Sequence, residues 1–181
     1  MTHFMVGVIV HADVSKHEHE AILGEVDAAL APFNENLEVE EREIGCWDCG
    51  GGGEVDGGDT CGQCDGTGKI PSTYNPDSKW DWYTIGGRFD GAASKTGKHL
   101  IHEKIGQPSD MGNNVCPVSE LHKDFCPCAL LTPDGRWIER GDVGWWGTLS
   151  NDKGEGAWKK EVDEVLAGYR GCVVVGVDCH I

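Results

Sequence analysis

The sequence predicts an α+β fold, specifically a ferredoxin-like split β-α-β sandwich with an inserted zinc-knuckle loop. Three observations predict it: apolar strand patterns near both ends, helical periodicity after the first and before the last of them, and a glycine- and cysteine-rich stretch between. Phe4 to Val10 alternates β-branched and other apolar residues and reads as a buried strand. Ser15-Lys-His-Glu18 then has capping-box spacing, and Ile22, Val26, Leu30 and Phe33 recur at helical intervals until Pro32 ends the run. Leu37 to Ile44 alternates as a charged strand, which completes an opening β-α-β.

From Gly45 to Gly68 ten of 24 residues are glycine and four are cysteine, so almost nothing there can fill a core, and burial alone cannot fold the segment. The aromatic stretch Tyr74 to Gly91 follows, then a polar stretch to about Val115 that reads as loop. Two short apolar runs around Pro133-Asp-Gly135 predict a hairpin over Ala129 to Arg140. Trp158, Val162, Val165, Leu166 and Tyr169 share one face of a helix that stops at Gly171, and Cys172 to Val177 is a continuous apolar strand. Residues 1–44 and 69–181 are thus the expected core domain and residues 45–68 the insert. In this arrangement the last strand lies antiparallel beside the first, bringing Asp178 and His180 close to His3.

Fifteen Lys+Arg against 31 Asp+Glu leave a formal charge of −16. That balance disfavours direct nucleic-acid binding, which draws mainly on Lys and Arg displacing counterions. Ten acidic residues and one basic residue lie between Asn34 and Gly68, so the region in and before the insert is an anionic knob suited to a basic protein surface. No run approaches the roughly 18 apolar residues of a membrane span, and the opening MTHFMVGVIV has neither a charged leader nor a cleavage site, so the expected location is cytoplasmic.

Cys46-x2-Cys49-x-Gly51-x-Gly53 and Cys61-x2-Cys64-x-Gly66-x-Gly68 are two copies of one pattern, offset by 15 residues. Each pair can deliver two thiolates to one tetrahedral Zn²⁺, and four cysteines leave no position for water, so the expected zinc is structural. A redox pair is the competing reading, although that chemistry needs one Cys-x-x-Cys rather than two glycine-followed copies. The repeat resembles the cysteine-rich zinc region of J-domain co-chaperones. The resemblance is confined to residues 46 to 68, implies zinc on Cys46, Cys49, Cys61 and Cys64, and carries no chaperone role, because nothing recognisable as a J domain accompanies it.

Trp80, Trp82 and Tyr83 precede Gly86-Gly87-Arg88, a set in which aromatics can stack a ring, glycines let backbone approach a ligand, and Arg can grip a phosphate. The alternative is a sheet face filled by tryptophans beside a tight turn. Cys116, His122, Cys126 and Cys128 lie within 13 residues and form a candidate second metal set, with buried free thiols as the alternative. His3, Asp178 and His180 are the candidate acid-base or metal-binding residues, with a hydrogen-bonded sheet end as the alternative.

The segments YNPDSKWDWYTIGGR and TPDGRW, with the terminal VDCHI, resemble a family of small proteins of bacteriophages and mobile elements. That resemblance implies a phage-type context in a host bacterial cytoplasm and no particular activity. The leading expectation is a zinc-stabilised binding protein without turnover, holding a nucleotide-like ligand or a host defence protein. The alternatives are a metal-assisted hydrolase of a nucleotide or phosphorylated substrate, and an acidic nucleic-acid mimic that inhibits a host enzyme.

Overall fold

Two eight-residue strands, apolar over most of their length, determine the centre of the fold. The structure, a computed structural model, describes residues 2–11, 19–94, 114–144 and 147–181. Strand β1 (His3–Val10) is buried along nearly its whole length, and the last strand, β10 (Val173–His180), along all of it. Continuous apolarity of this kind belongs to strands covered on both faces. The two pair antiparallel over their full length, His3 opposite His180 and Val10 opposite Val173. Helix α1 (His19–Leu30) lays Ile22, Val26 and Leu30 on one face, against Phe4, Val6, Val8, Val175 and Val177. Helix α2 (Glu155–Ala167) lays Trp158, Val162 and Leu166 on the other, against Met5, Ile9, Leu130 and Val174. The indoles are anchored as well as buried: Trp80 Nε1 donates to the Leu30 carbonyl at 3.1 Å and Trp158 Nε1 to the Pro127 carbonyl at 2.7 Å.

The expected hairpin forms as β6 (Ala129–Leu131) and β7 (Trp137–Glu139), turning through Pro133-Asp-Gly135. Strand β6 pairs with β1 in parallel. On the far side, β4 (Trp82–Ile85) and β5 (Val115–Pro117) share the edge of β10, β4 along Val177–His180 and β5 along Val173–Val175. The six-stranded sheet therefore runs β4-β10-β1-β6-β7, with β5 also on β10. Strands β8 (Asp142–Val143) and β9 (Leu149–Ser150) form a separate two-stranded ribbon.

The mixed α+β class holds, while the strand order differs from the split sandwich expected. A split β-α-β places another strand between β1 and its parallel partner and both helices on one face. Here β1 and β6 are hydrogen-bonded neighbours and the helices cover opposite faces. The second strand expected over Leu37 to Ile44 is reduced to β2 (Arg42–Gly45), which pairs with β3 (Lys69–Ser72) and not with the main sheet. Its residues explain this: Leu37, Glu38, Glu40, Glu41, Arg42 and Glu43 are all exposed, so the segment has no face to bury in a sheet covered on both sides. The capping box expected over Ser15 to Glu18 lies outside the described residues, as does most of the polar stretch before Val115.

The chain divides into two compact units, Met1–Asn34 with Lys79–Ile181, and Glu35–Ser78. The second unit contains the expected insert of residues 45–68 and extends beyond it on both sides. The first closes on itself where the second is spliced in: Lys79 N–H donates to the Phe33 carbonyl at 2.8 Å, and Asn34 bridges Trp80.

Candidate functional site

In the Glu35–Ser78 unit, the only buried apolar residue besides cysteine is Ile70, packed with Cys46, Cys61 and Cys64 and flanked by Ile44, Cys49 and Val55. The four cysteine sulfurs all lie within 4.8 Å of one another, with Cys46 to Cys61 and Cys49 to Cys64 both at 3.8 Å. A tetrahedron with arms of about 2.3 Å has edges of about 3.8 Å, so the cluster is dimensioned for a thiolate-held metal ion.

The two sequence copies fold as structural equivalents. In the first, Gly51 N–H donates to the Cys46 carbonyl, Gly52 N–H to the Cys49 carbonyl and Gly53 N–H to Cys49 Sγ. In the second, Gly66, Thr67 and Gly68 N–H donate in the same way to Cys61 O, Cys64 O and Cys64 Sγ. Each copy also bonds the other: Cys61 N–H donates to the Gly53 carbonyl and Cys46 N–H to the Gly68 carbonyl, both at 2.9 Å. The closing glycines have no room for a side chain, since a Cβ on Gly53 would sit 2.4 Å from the Gly66 oxygen and one on Gly68 2.2 Å from the Gly51 oxygen. The repeated glycines of the motif are therefore the places where one knuckle's backbone seats on the other's.

The amide donors also shape the sulfur chemistry. Desolvation raises the Cys49 thiol, but hydrogen bonds from the Gly53 and Gly51 amides and from the Cys46 and Cys64 sulfurs outweigh it and hold it at about 7. Desolvation pushes Cys61 up to about 11.

In the other unit, the pairing of β1 with β10 does what the sequence predicts for His3, Asp178 and His180. His3 Nδ1 donates to Asp178 Oδ1 at 2.9 Å, and the two imidazoles meet edge to face with centroids 5.1 Å apart. Asp178 is 2% exposed at its side chain, and its other oxygen accepts the Arg88 backbone N–H at 2.9 Å. Gly87 makes that approach feasible: its φ is +52°, and a Cβ there would lie 2.4 Å from Asp178 Oδ2. The Gly86-Gly87-Arg88 turn and the C-terminal Asp178-x-His180 thus belong to one site.

Trp82 joins them, its ring stacked on His180 at 5.0 Å and edge-on to His3 at 5.3 Å, while 43% of the residue stays exposed. Strand alternation turns Tyr83 away from Trp82, and Trp80 lies before the start of β4. Trp80 is buried in the core on the α1 side, and Tyr83 packs edge-on against it, its hydroxyl donating to Asp27. Neither shares a face with Trp82. Desolvation raises the Tyr83 phenol above its ordinary range, and the Asp27 carboxylate adds to the shift.

Sequence reasoning missed Asp81, whose Oδ1 accepts from His180 Nδ1 at 2.7 Å and from Trp82 N–H at 2.7 Å. Each histidine is therefore oriented by its own carboxylate, which fixes the tautomer and leaves Nε2 for chemistry. The signal for Asp81 was its place between two tryptophans of the aromatic segment, and no spacing rule links it to His180.

Cys116, His122, Cys126 and Cys128 are not brought together. Among the described residues the one group of three or more metal-type ligands is Cys46, Cys49, Cys61 and Cys64. Cys126 packs against the core on the α2 side and Cys128 against the core on the α1 side, because adjacent-but-one positions flanking Pro127 are drawn to different faces here. Arg136 and Arg140 are engaged with Asp134 and Asp152.

Fold and site define an α+β protein with a four-cysteine metal-type centre in one unit and a paired histidine-carboxylate site in the other. Comparison with family models, curated proteins and solved structures returns no match. No helix among the described residues is long and apolar enough to cross a membrane.

Proposed function

We propose that the chain is a zinc-stabilised binding protein of phage type that holds a nucleotide-like ligand without turnover. One observation supports this above the others: segments from the start, middle and end of the chain converge to put Trp82, Arg88, His3 and His180 around Asp178. Trp82 has one face on His180 and remains 43% exposed, which suits stacking of a base. The exposed Arg88 follows the turn that caps Asp178 and is suited to a phosphate. The histidine side chains are only 10% and 6% exposed, which favours holding over chemistry that needs an attacking water. Zinc is the ion chosen by four thiolates at tetrahedral spacing, and with no ligand position left for water its role is structural.

Native mass spectrometry of protein purified from cells tests both parts. It should count one zinc, lost in Cys61→Ser, and any retained nucleotide-like mass should be lost in Trp82→Ala and Arg88→Ala. Ligand retention in both variants would remove this site from the reading. A second reading, a hydrolase of nucleotide or phosphorylated substrates, is favoured by the carboxylate behind each histidine, an arrangement suited to general acid-base work. Turnover of a nucleotide panel that disappears in His180→Ala would establish it over simple binding.

A further inference from the structure

The duplication inside the Glu35–Ser78 unit provides a control on what its fold requires. Every feature that builds one knuckle recurs in the other 15 residues on: both cysteines, both motif glycines, the amide-to-sulfur bonds and the crossed backbone bonds. Even the left-handed backbone at Gly50, φ +61°, recurs at Asp65, φ +48°. Trp47 does not recur. Its equivalent is Gly62, where an added Cβ would meet nothing within 4 Å beyond its chain neighbours, so this position of the knuckle needs no side chain. Yet Trp47 is 69% exposed, the most exposed large hydrophobic among the described residues. An indole that the fold does not use and water does not favour belongs to the residue class that dominates binding hot spots.

The charge of its unit selects the partner. The unit carries eleven acidic and two basic residues. Nucleic acid and anionic lipid are repelled by such a surface, and so is a second copy of the same unit. We infer that Trp47 and the carboxylates of its unit form a docking surface for an arginine-bearing basic protein segment. A guanidinium can stack on the indole while its N–H groups pair bidentately with carboxylates, which a lysine ammonium cannot match. The inference rests on the Glu35–Ser78 unit alone and stands whether or not a nucleotide binds at Asp178.

The test titrates dye-labelled peptides of about 15 residues with about five arginines, five lysines or five glutamates into the full-length zinc-loaded protein. The expected order is arginine over lysine, with no binding of the glutamate peptide and weakening as salt rises from about 50 to 500 mM. Trp47→Gly, which copies the residue at the sister position, should weaken the arginine peptide by about tenfold and erase its advantage over lysine. Its zinc content should stay at the wild-type value, so that loss of binding is not loss of the fold. Wild-type affinity in Trp47→Gly, equal binding of the glutamate peptide, or no arginine-peptide binding at low salt would each overturn the inference. Absence of zinc from the wild-type protein would instead show that the proposed metal is wrong.

Discussion

Replacing Gly87 with alanine should disable the histidine site from a position that touches neither imidazole. The added Cβ would lie 2.4 Å from Asp178 Oδ2, 2.6 Å from Asp178 Cβ and 2.8 Å from Thr84 Cγ2, all well inside van der Waals contact. Asp178 has nowhere to retreat, because its side chain is 2% exposed and its two oxygens are held by His3 and by the Arg88 amide. Either the carboxylate leaves, forfeiting hydrogen bonds to a charged group worth about 1.5–3 kcal/mol each, or the turn shifts. Left-handed backbone adds about 1 kcal/mol for a residue with a Cβ. The expected destabilisation is about 3–5 kcal/mol, enough to lower Tm by about 10 °C in a protein of this size. Urea unfolding followed by tryptophan fluorescence measures it, and long-range ¹H–¹⁵N correlation of the histidine rings reports whether His3 Nδ1 keeps its proton on Asp178. Gly24→Ala is the control: Gly24 lies inside α1, and a Cβ there would meet nothing within 4 Å outside the helix's own backbone, so alanine should stabilise by up to about 1 kcal/mol. Stability of Gly87→Ala within about 0.5 kcal/mol of wild type, with His3 still donating from Nδ1, would refute the account of the turn.

The knuckle glycines should separate in the same way. Gly68→Ala drives a Cβ to 2.2 Å from the Gly51 oxygen and should abolish stoichiometric zinc retention, whereas Gly62→Ala meets nothing and should leave it unchanged; a chelator competition assay decides, and equal behaviour of the two would contradict the seating of one knuckle on the other. In an ultraviolet titration Tyr83, identified by difference against Tyr83→Phe, should ionise above the ordinary tyrosine range, since desolvation and the Asp27 carboxylate both raise it. A folded-state pKa above the unfolded value of about 10 means that the contribution of Tyr83 to stability is intact below that pH and is lost as pH rises beyond it. Asp27→Asn should bring the Tyr83 transition down part of the way, because desolvation, the larger cause, remains; a Tyr83 transition at the ordinary value of about 10 in the wild type would count against this.

Much of the local structure was legible because its causes are local. The hairpin over Ala129 to Glu139 follows from turn residues between short apolar runs, and α2 from its apolar spacing. The four-cysteine cluster was legible for the same reason, since each Cys-x2-Cys turn places two sulfurs by its own backbone hydrogen bonds. The 15-residue repeat also marks the four cysteines that cluster, although not that the second glycine of each copy seats against the other knuckle. The pairing of His3 with Asp178 was legible once β1 and β10 were read as antiparallel neighbours.

The remainder depended on relations between distant segments. Cys116, His122, Cys126 and Cys128 are close in sequence, yet Cys126 and Cys128 pack on different faces of the sheet, and proximity along the chain says nothing about that. Trp80 and Trp82 look equivalent in the sequence, but Trp80, which precedes β4, is buried on the α1 side, while Trp82 at the start of β4 lies beside His180. By itself the sequence determined the acidic character of the Glu35–Ser78 unit and the four-cysteine cluster inside it. Only the tertiary structure decided that Asp81 and Gly87 belong to the histidine site. The register of β10 against β1 on one side and β4 on the other sets which side chains meet there, and that register is selected by burial of both sheet faces at once.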